Sequence, residues 1–306
     1  MKDLAKHSIE GFIQPKGFPR FPKEWSHQSG TLYSESTHSD IYYLEMLRVE
    51  DTSKVKNVLI IVHGHGEHIG RYLHFPHYLR DTVDAVVGFD HYGHGKSQGT
   101  RGHIESFDCF IETLDQWVKE VAIKYAQAKI HLFAHSLGGL IALKYLSQNG
   151  GEIFSSVCLS APALQLKLEV PIIKKVAAYL LTQVWGSLQI GSEVRPDLLS
   201  HDPCLQEAYL EDKLIHHKAT PRFFIKMQVA MEEMKQYKGK VHCPLMWVLP
   251  MKDGLIDTAV TLECLAHFES SQVVVKKYEN FFHESFNEQG KESAFKDLNV
   301  WIKSNS

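Results

Sequence analysis

"IHLFAHSLGGLIALKYL", residues 130–146, passes from a strand pattern through a serine into a glycine-led helix pattern. The short strand "KIHLF" (129–133) stops at Ala134, Ser136 falls in the turn, and Gly138 and Gly139 open a helix carrying Leu140, Ile141 and Leu146. Small residues two before and two after a serine let a strand reverse sharply into a helix, because the turn brings neighbouring backbone close. The usual form is G-x-S-x-G. Here Ala134 replaces the first glycine, adding one methyl group where a larger side chain would not fit. Such a turn aims Oγ out of the sheet and leaves the Leu137 N–H at a helix N-terminus, beside any negative charge that develops there. A serine that merely caps a helix leaves the same local pattern. The flanking segments separate the two.

Working outward, "DIYYLEMLRV" (40–49), "VLIIV" (58–62), "DAVVGF" (84–89) and "FSSVCLSAPA" (154–163) read as strands before and after the serine turn. "CPLMWVL" (243–249) and "QVVVKKY" (272–278) follow late in the chain. Between them lie helical patterns. Residues 107–121 place Phe107, Phe110, Ile111, Leu114, Trp117, Val118 and Val121 on one face. Others fall near 257–268 and at the end, where Phe295, Leu298, Trp301 and Ile302 share a face. Strands alternating with helices predict an α/β chain with a mostly parallel central sheet covered on both faces. Residues 164–240 interrupt that rhythm: helical, without strands, and beginning with the apolar "VPIIKKVAAYLLTQVW" (170–185), where Pro171 suits a helix start. The predicted division is a core of residues 1–163 and 241–306 with 164–240 inserted as a helical cap over the strands' carboxyl ends, where open α/β sheets place their sites.

The 306 residues suffice for a full core, and a net charge of −3 gives no electrostatic footprint for nucleic acid. The first residues, "MKDLAKHSIEGFIQPKGF", show no apolar signal region, and no stretch approaches the roughly 20 apolar residues of a membrane span. Five scattered cysteines without a C-x-x-C pair fit free thiols in a reducing cytoplasm.

A nucleophilic serine needs a base, and the base needs an orienting carboxylate. With this turn, the expected chain order is serine, acid, histidine, the last two on loops after late strands. Asp253 follows the strand at 243–249 and His283 follows the strand at 272–278. Asp257 competes for the acid's place, but its position suits the N-cap of the next helix, so Asp253 is preferred. His135 adjoins the serine, yet neighbours at a sharp turn point apart, and its ring should not reach Oγ.

The stretch "HGHGEH" (63–68) after the second strand admits two readings. Its His63, His65 and His68 spacing is similar to the H-x-H-x-D-H metal motif of metallo-β-lactamase-like hydrolases, with Glu67 where that motif has aspartate. The alternative uses the backbone: Gly64 and Gly66 let the chain fold around the His65 amide, which with Leu137 N–H would hold an oxyanion. The second reading is preferred, leaving the histidines and Glu67 to brace the loop or line the pocket.

Together "HGHGEHIGRY", "FDHYGHGKSQGTRGHI", "AHSLGG", the Asp253 loop, "FFHESFNE" and the cap segment "LSHDPCLQEAYLEDKLIHHKAT" (199–220) resemble the monoacylglycerol lipase/lysophospholipase group of α/β-hydrolases. The likeness covers most of the chain from about residue 30. It implies the α/β-hydrolase fold and a cofactor-free carboxylester hydrolase, with no metal, acting on single-chain glycerol lipids as small-molecule substrates. By motif, Ser136, Asp253 and His283 match the catalytic triad and the His65 and Leu137 amides the oxyanion hole. Glu67, Arg71 and His135 match positions at the polar end of the substrate pocket, and Asp90 with the following "GHG" a structural turn. The departures are Ala134 and the residues Leu249–Met251, where the group more often has glycine.

The cap's apolar stretch fits an acyl-chain tunnel, plain packing on the core, or transient docking at a lipid surface from a cytoplasmic position. Three other functions share parts of the pattern: a small-ester esterase of the same fold, a metal-dependent hydrolase using His63, His65 and His68, and a non-catalytic binding protein. Oligomeric state leaves no mark in the sequence.

Overall fold

The computed structural model describes residue 9 and residues 11–167, 172–191 and 194–306. Eight strands build the central sheet: β1 (Ser26–Ser34), β2 (Ser39–Leu47), β3 (Asn57–Val62), β4 (Ala85–Phe89), β5 (Lys129–His135), β6 (Phe154–Ser160), β7 (Leu245–Pro250) and β8 (Val273–Tyr278). They lie side by side in the order β1-β2-β4-β3-β5-β6-β7-β8. β2 runs antiparallel to both β1 and β4, and every pair from β4 to β8 is parallel.

β3 is short, apolar and buried on both faces because its side chains serve two cores. Val58, Ile60 and Val62 join one core, and Leu59 and Ile61 the other. The first core takes in helices α2 (Asp108–Lys124) and α3 (Leu137–Asn149) through Leu114, Trp117, Leu140 and Ile141. The second takes in α1 (Phe75–Leu79) and α8 (Glu292–Ser304) through Phe75, Leu79, Phe295 and Leu298. Helices thus cover both faces of the sheet. Between β6 and β7 come α4 (Ile172–Trp185), α5 (Pro203–Glu211) and α6 (Pro221–Gln236); α4 lies on α6 and α6 on α3. α7 (Thr258–Leu265) returns the chain from β7 towards β8.

Three sequence expectations differ in detail. β1 is not among the strands the sequence predicts: "SHQSGTLYS" is polar and barely buried, and it is a strand because its backbone pairs with β2 along nine residues. α2 runs a turn beyond residue 121, to Lys124, since the exposed residues there continue the hydrogen-bond ladder without needing a buried side chain. Residues 164–240 are not wholly strandless: Ile190–Gly191 pairs with Lys218–Ala219, and Gly239–Lys240 with Phe268–Glu269. Pro171 lies outside the described residues.

Phe295 is fully buried in α8, and its ring touches those of His74, Phe75, Tyr78 and Phe286 at centroid distances of 5.6, 4.9, 4.1 and 5.1 Å. Phe295→Ala is expected to cost about 3–5 kcal/mol by urea denaturation, the range for emptying an aromatic site.

Candidate active site

The carboxyl ends of β3, β5, β7 and β8 open onto one region. β5 ends at His135, and Ser136 turns the chain into α3 with φ 52° and ψ −115°, a conformation side chains rarely adopt. Its N–H donates to Ser160 O at 2.9 Å, and its own carbonyl accepts from Ala163 N–H at 2.9 Å. A Cβ on Gly138 would sit 2.1 Å from Val62 O, and one on Gly139 2.7 Å from the Pro162 ring, so α3 begins as close to the sheet as backbone allows.

Ser136 Oγ lies 2.9 Å from His283 Nε2, and His283 Nδ1 lies 2.7 Å from Asp253 Oδ2. The carboxylate accepts, so the imidazole carries its proton on Nδ1 and offers a bare Nε2 to the serine hydroxyl. Asp253 Oδ1 takes the N–H groups of Leu255 and Ile256 at 2.8 and 3.0 Å, which fixes the carboxylate's direction. Burial works to lower the basicity of His283, but the Asp253 carboxylate outweighs it and holds the imidazole above its ordinary value. Asp253 is likewise pulled below its ordinary value, burial opposing and His283 prevailing. Asp257 instead caps α7, accepting from Ala259 and Val260 N–H at 3.0 and 3.2 Å.

Gly64 packs against the serine: a Cβ there would lie 3.2 Å from Ser136 Cβ and 2.9 Å from Glu67 Oε1. Gly66 has φ +78°, a conformation glycine supplies without strain. Among the hydrogen bonds of the described residues, none uses the amide of His65 or of Leu137, and both residues line the same cavity as Ser136. That cavity, of about 410 Å³, falls in the ~300–1,000 Å³ range of small-molecule sites. Its polar wall holds Glu67, Arg71, His135, Tyr209, His283 and Glu284; its apolar wall runs along Leu166, Ile190, Val194, Phe223, Phe224 and Met227.

A family model described as "Serine aminopeptidase, S33" matches residues 53–290. The chain belongs to that family, a branch of the α/β-hydrolases. It is 31% identical to a monoacylglycerol lipase of Mycolicibacterium smegmatis over 81% of this chain and 89% of the relative. It is 28% identical to the phospholipase YtpA of Bacillus subtilis over 78% and 92%, and 26% identical to the human monoglyceride lipase over 87% and 88%. Among solved structures, a monoacylglycerol lipase of Paleococcus ferrophilus superposes with a TM-score of 0.76 at 24% identity, covering 87% of this chain and 99% of that one. A soluble monoglyceride lipase variant of Saccharomyces cerevisiae, in complex with a substrate analogue, superposes at 0.77 and 16%, covering 94% and 96%.

In this S33 chain the histidines of 63–68 have separate partners. His63 donates from Nδ1 to Gly64 O at 2.8 Å and accepts the His91 N–H on Nε2 at 3.0 Å. His68 donates to Asp212 at 2.9 Å, and the His65 ring stacks on Phe223 at 4.7 Å. Among the described residues, no group of three or more His, Cys, Asp or Glu is arranged to hold a metal ion. His135 donates from Nδ1 to Ser160 O at 3.2 Å, and its ring lies 4.8 Å from that of His283; burial pushes it down to about 4. Asp90 is a buried turn anchor, accepting the N–H groups of Ile69 and Lys96 at 2.7 Å each.

Glu284 was not singled out in the sequence, where a carboxylate beside a loop histidine looks solvated. It is buried and holds Arg71 in a two-pronged pair, Nη1–Oε1 and Nη2–Oε2 both 2.7 Å, while Nη1 also donates to Glu67 at 2.9 Å. Burial alone would raise the Glu284 carboxyl, but Arg71 overrides it and holds it at about 2. Its stabilising contribution is therefore full above its ordinary value of 4.5 and lost as pH falls towards about 2. Arg71→Met strands two buried carboxyl groups and is expected to cost about 3–5 kcal/mol at neutral pH. Without the guanidinium, Glu284 should titrate above its ordinary value, so the deficit against wild type should shrink as pH is lowered; denaturation curves across pH check the sign.

Proposed function

We propose that the chain is a serine carboxylester hydrolase acting on monoesters of glycerol that carry one long acyl chain. The observation that carries this is the cavity's two-sided wall. A hydroxyl–imidazole–carboxylate line stands where a polar, hydrogen-bonding end meets an apolar arm. Relatives at 25–31% identity named as monoacylglycerol or monoglyceride lipases support the same substrate class.

On this reading His283 takes the Ser136 proton as Oγ bonds to the ester carbonyl carbon. The carbonyl oxygen becomes an anion held by the amides of His65 and Leu137. Collapse of that intermediate breaks the ester C–O bond, and His283 returns the proton to the departing alcohol. Water then repeats the sequence on the acyl-enzyme and frees the fatty acid. Asp253 keeps the imidazole in register and favours its charged form. Residues 164–240 serve as the cap, with 1–163 and 241–306 as core. The exposed Tyr179, Leu180, Val184 and Trp185 of α4 favour transient contact with a lipid surface. Among the described residues no helix is long and apolar enough to cross a membrane. The free state of all five cysteines supports a reducing compartment such as the cytoplasm.

The polar end also favours an uncharged head group. Both Nη atoms of Arg71 are engaged by Glu67 and Glu284, so among the described residues of the polar wall two carboxyl groups face one guanidinium that is already paired. Like-charge juxtaposition costs several kcal/mol.

A fluorophosphonate probe should label the wild-type chain and leave Ser136→Ala unmodified; labelling at another residue would overturn the assignment. Asp253→Asn should lower kcat by about 10⁴, the loss typical of an orienting carboxylate, while Asp257→Asn stays near wild type. With matched acyl chains, kcat/KM for monoacylglycerol should exceed that for lysophosphatidate by about a hundredfold or more; equal rates would refute the head-group argument.

A further inference from the structure

The loop that carries the His65 amide contains two glycines and has little stiffness of its own. Yet oxyanion donors must stand about 2.7–3.1 Å from the charged oxygen. The first glycine is braced within the loop, where Glu67 Oε1 accepts the Gly64 N–H at 2.6 Å and His63 Nδ1 donates to Gly64 O at 2.8 Å; the second is restrained by the segment after α5. Asp212 Oδ2 accepts from His68 Nε2 at 2.9 Å with both side chains buried, and Asp212 Oδ1 accepts the Leu214 N–H at 2.9 Å. That turn delivers His216, whose N–H donates to Gly66 O at 3.0 Å. The two backbones meet face to face, for a Cβ on Gly66 would lie 2.7 Å from His216 O. The ring of Phe12 stacks on His68 at 5.3 Å and 17°, so the imidazole is held on one face by Phe12 and at its Nε2 edge by Asp212.

The segment before α5 grips the loop that carries His283. Leu199 O accepts the Glu284 N–H at 2.9 Å. Glu288, buried, accepts from Ser200 Oγ at 2.9 Å, from His201 N–H at 2.9 Å and from His201 Nδ1 at 3.0 Å. It also accepts the N–H of Phe282 at 3.1 Å, one residue before His283, and the His201 ring stacks on Phe282 at 3.6 Å. Between the two grips, α5 is a nine-residue helix about 13 Å long, started by the Asp202 cap and Pro203.

We propose that α5 with its flanks is a strut that fixes the oxyanion loop relative to the His283 loop, and that Asp212 is a positioning residue acting through His68. This rests on the acyl-transfer reading above. A displacement of about 1 Å in such a site costs on the order of a hundredfold in rate.

The test compares steady-state kinetics of Asp212→Ala, His68→Ala and the double variant, together with the rate at which a fluorophosphonate phosphonylates Ser136. Each single variant should lose about 10- to 100-fold in kcat with KM near wild type, and phosphonylation should slow in step. The double variant should lose no more than the worse single, because both changes cut one connection. Met234→Ala, a buried residue of α6, should lower the melting temperature and keep kcat. If Asp212→Ala does not fold, Asp212→Asn keeps the oxygen for Leu214 N–H and should show a smaller loss with the same split between kcat and KM. A kcat within about twofold of wild type, a loss residing in KM, or losses that multiply in the double variant would overturn the strut. Wild type that resists the probe, or Ser136→Ala that turns over, would instead overturn the acyl-transfer reading.

Discussion

The constraint on which the molecule turns is a serine forced into backbone angles of 52° and −115°. Holding a residue there costs on the order of 1–3 kcal/mol and persists only where the surroundings over-determine it. The surroundings here are three adjacent parallel strands: β6 accepts the serine N–H, β3 presses its last carbonyl against Gly138, and β5 supplies the strand that is being turned. No local sequence preference would hold this turn in isolation. Sheet order, the doubly buried strands and the small residues of α3 are therefore one requirement seen at three scales.

Electrostatics divides the buried histidines by partner. Burial drives His65 and His91 down to about 4 and His216 to about 3, where they pack as neutral rings against one another and against backbone carbonyls. His283 is just as buried, but it faces a carboxylate oriented by two amides, and its basicity rises. One residue type thus supplies inert packing at several positions and, at another, a hydrogen-bond acceptor aimed at the Ser136 hydroxyl. Sequence counts of histidine do not distinguish these cases, because the distinguishing atom belongs to a residue thirty positions away.

What the sequence disclosed follows the same division. β3 and β7 are readable because strands buried on both faces run as continuous apolar stretches, β5 and β6 from shorter apolar runs bounded by small residues, and the serine turn because close backbone approach demands small side chains. β1 carries no such pattern, since backbone pairing alone makes it a strand. Ser136, Asp253 and His283 follow from chain order and strand ends, and the fold brings them into line at 2.9 and 2.7 Å. Glu284 and Asp212 could not be nominated. Their partners, Arg71 and His68, lie 213 and 144 positions away, and nothing near either carboxylate signals a buried cation or imidazole.

The order of the parts along the chain has a further effect. The serine turn is complete once β6 is in place, but the imidazole beside it arrives 147 residues after the serine, following the whole cap and β7 and β8. On the proposed mechanism the hydroxyl is therefore an ordinary alcohol until nearly the last segment has docked. On that reading esterase turnover reports the finished molecule, because the base joins the serine only when the last strand and its loop are in place.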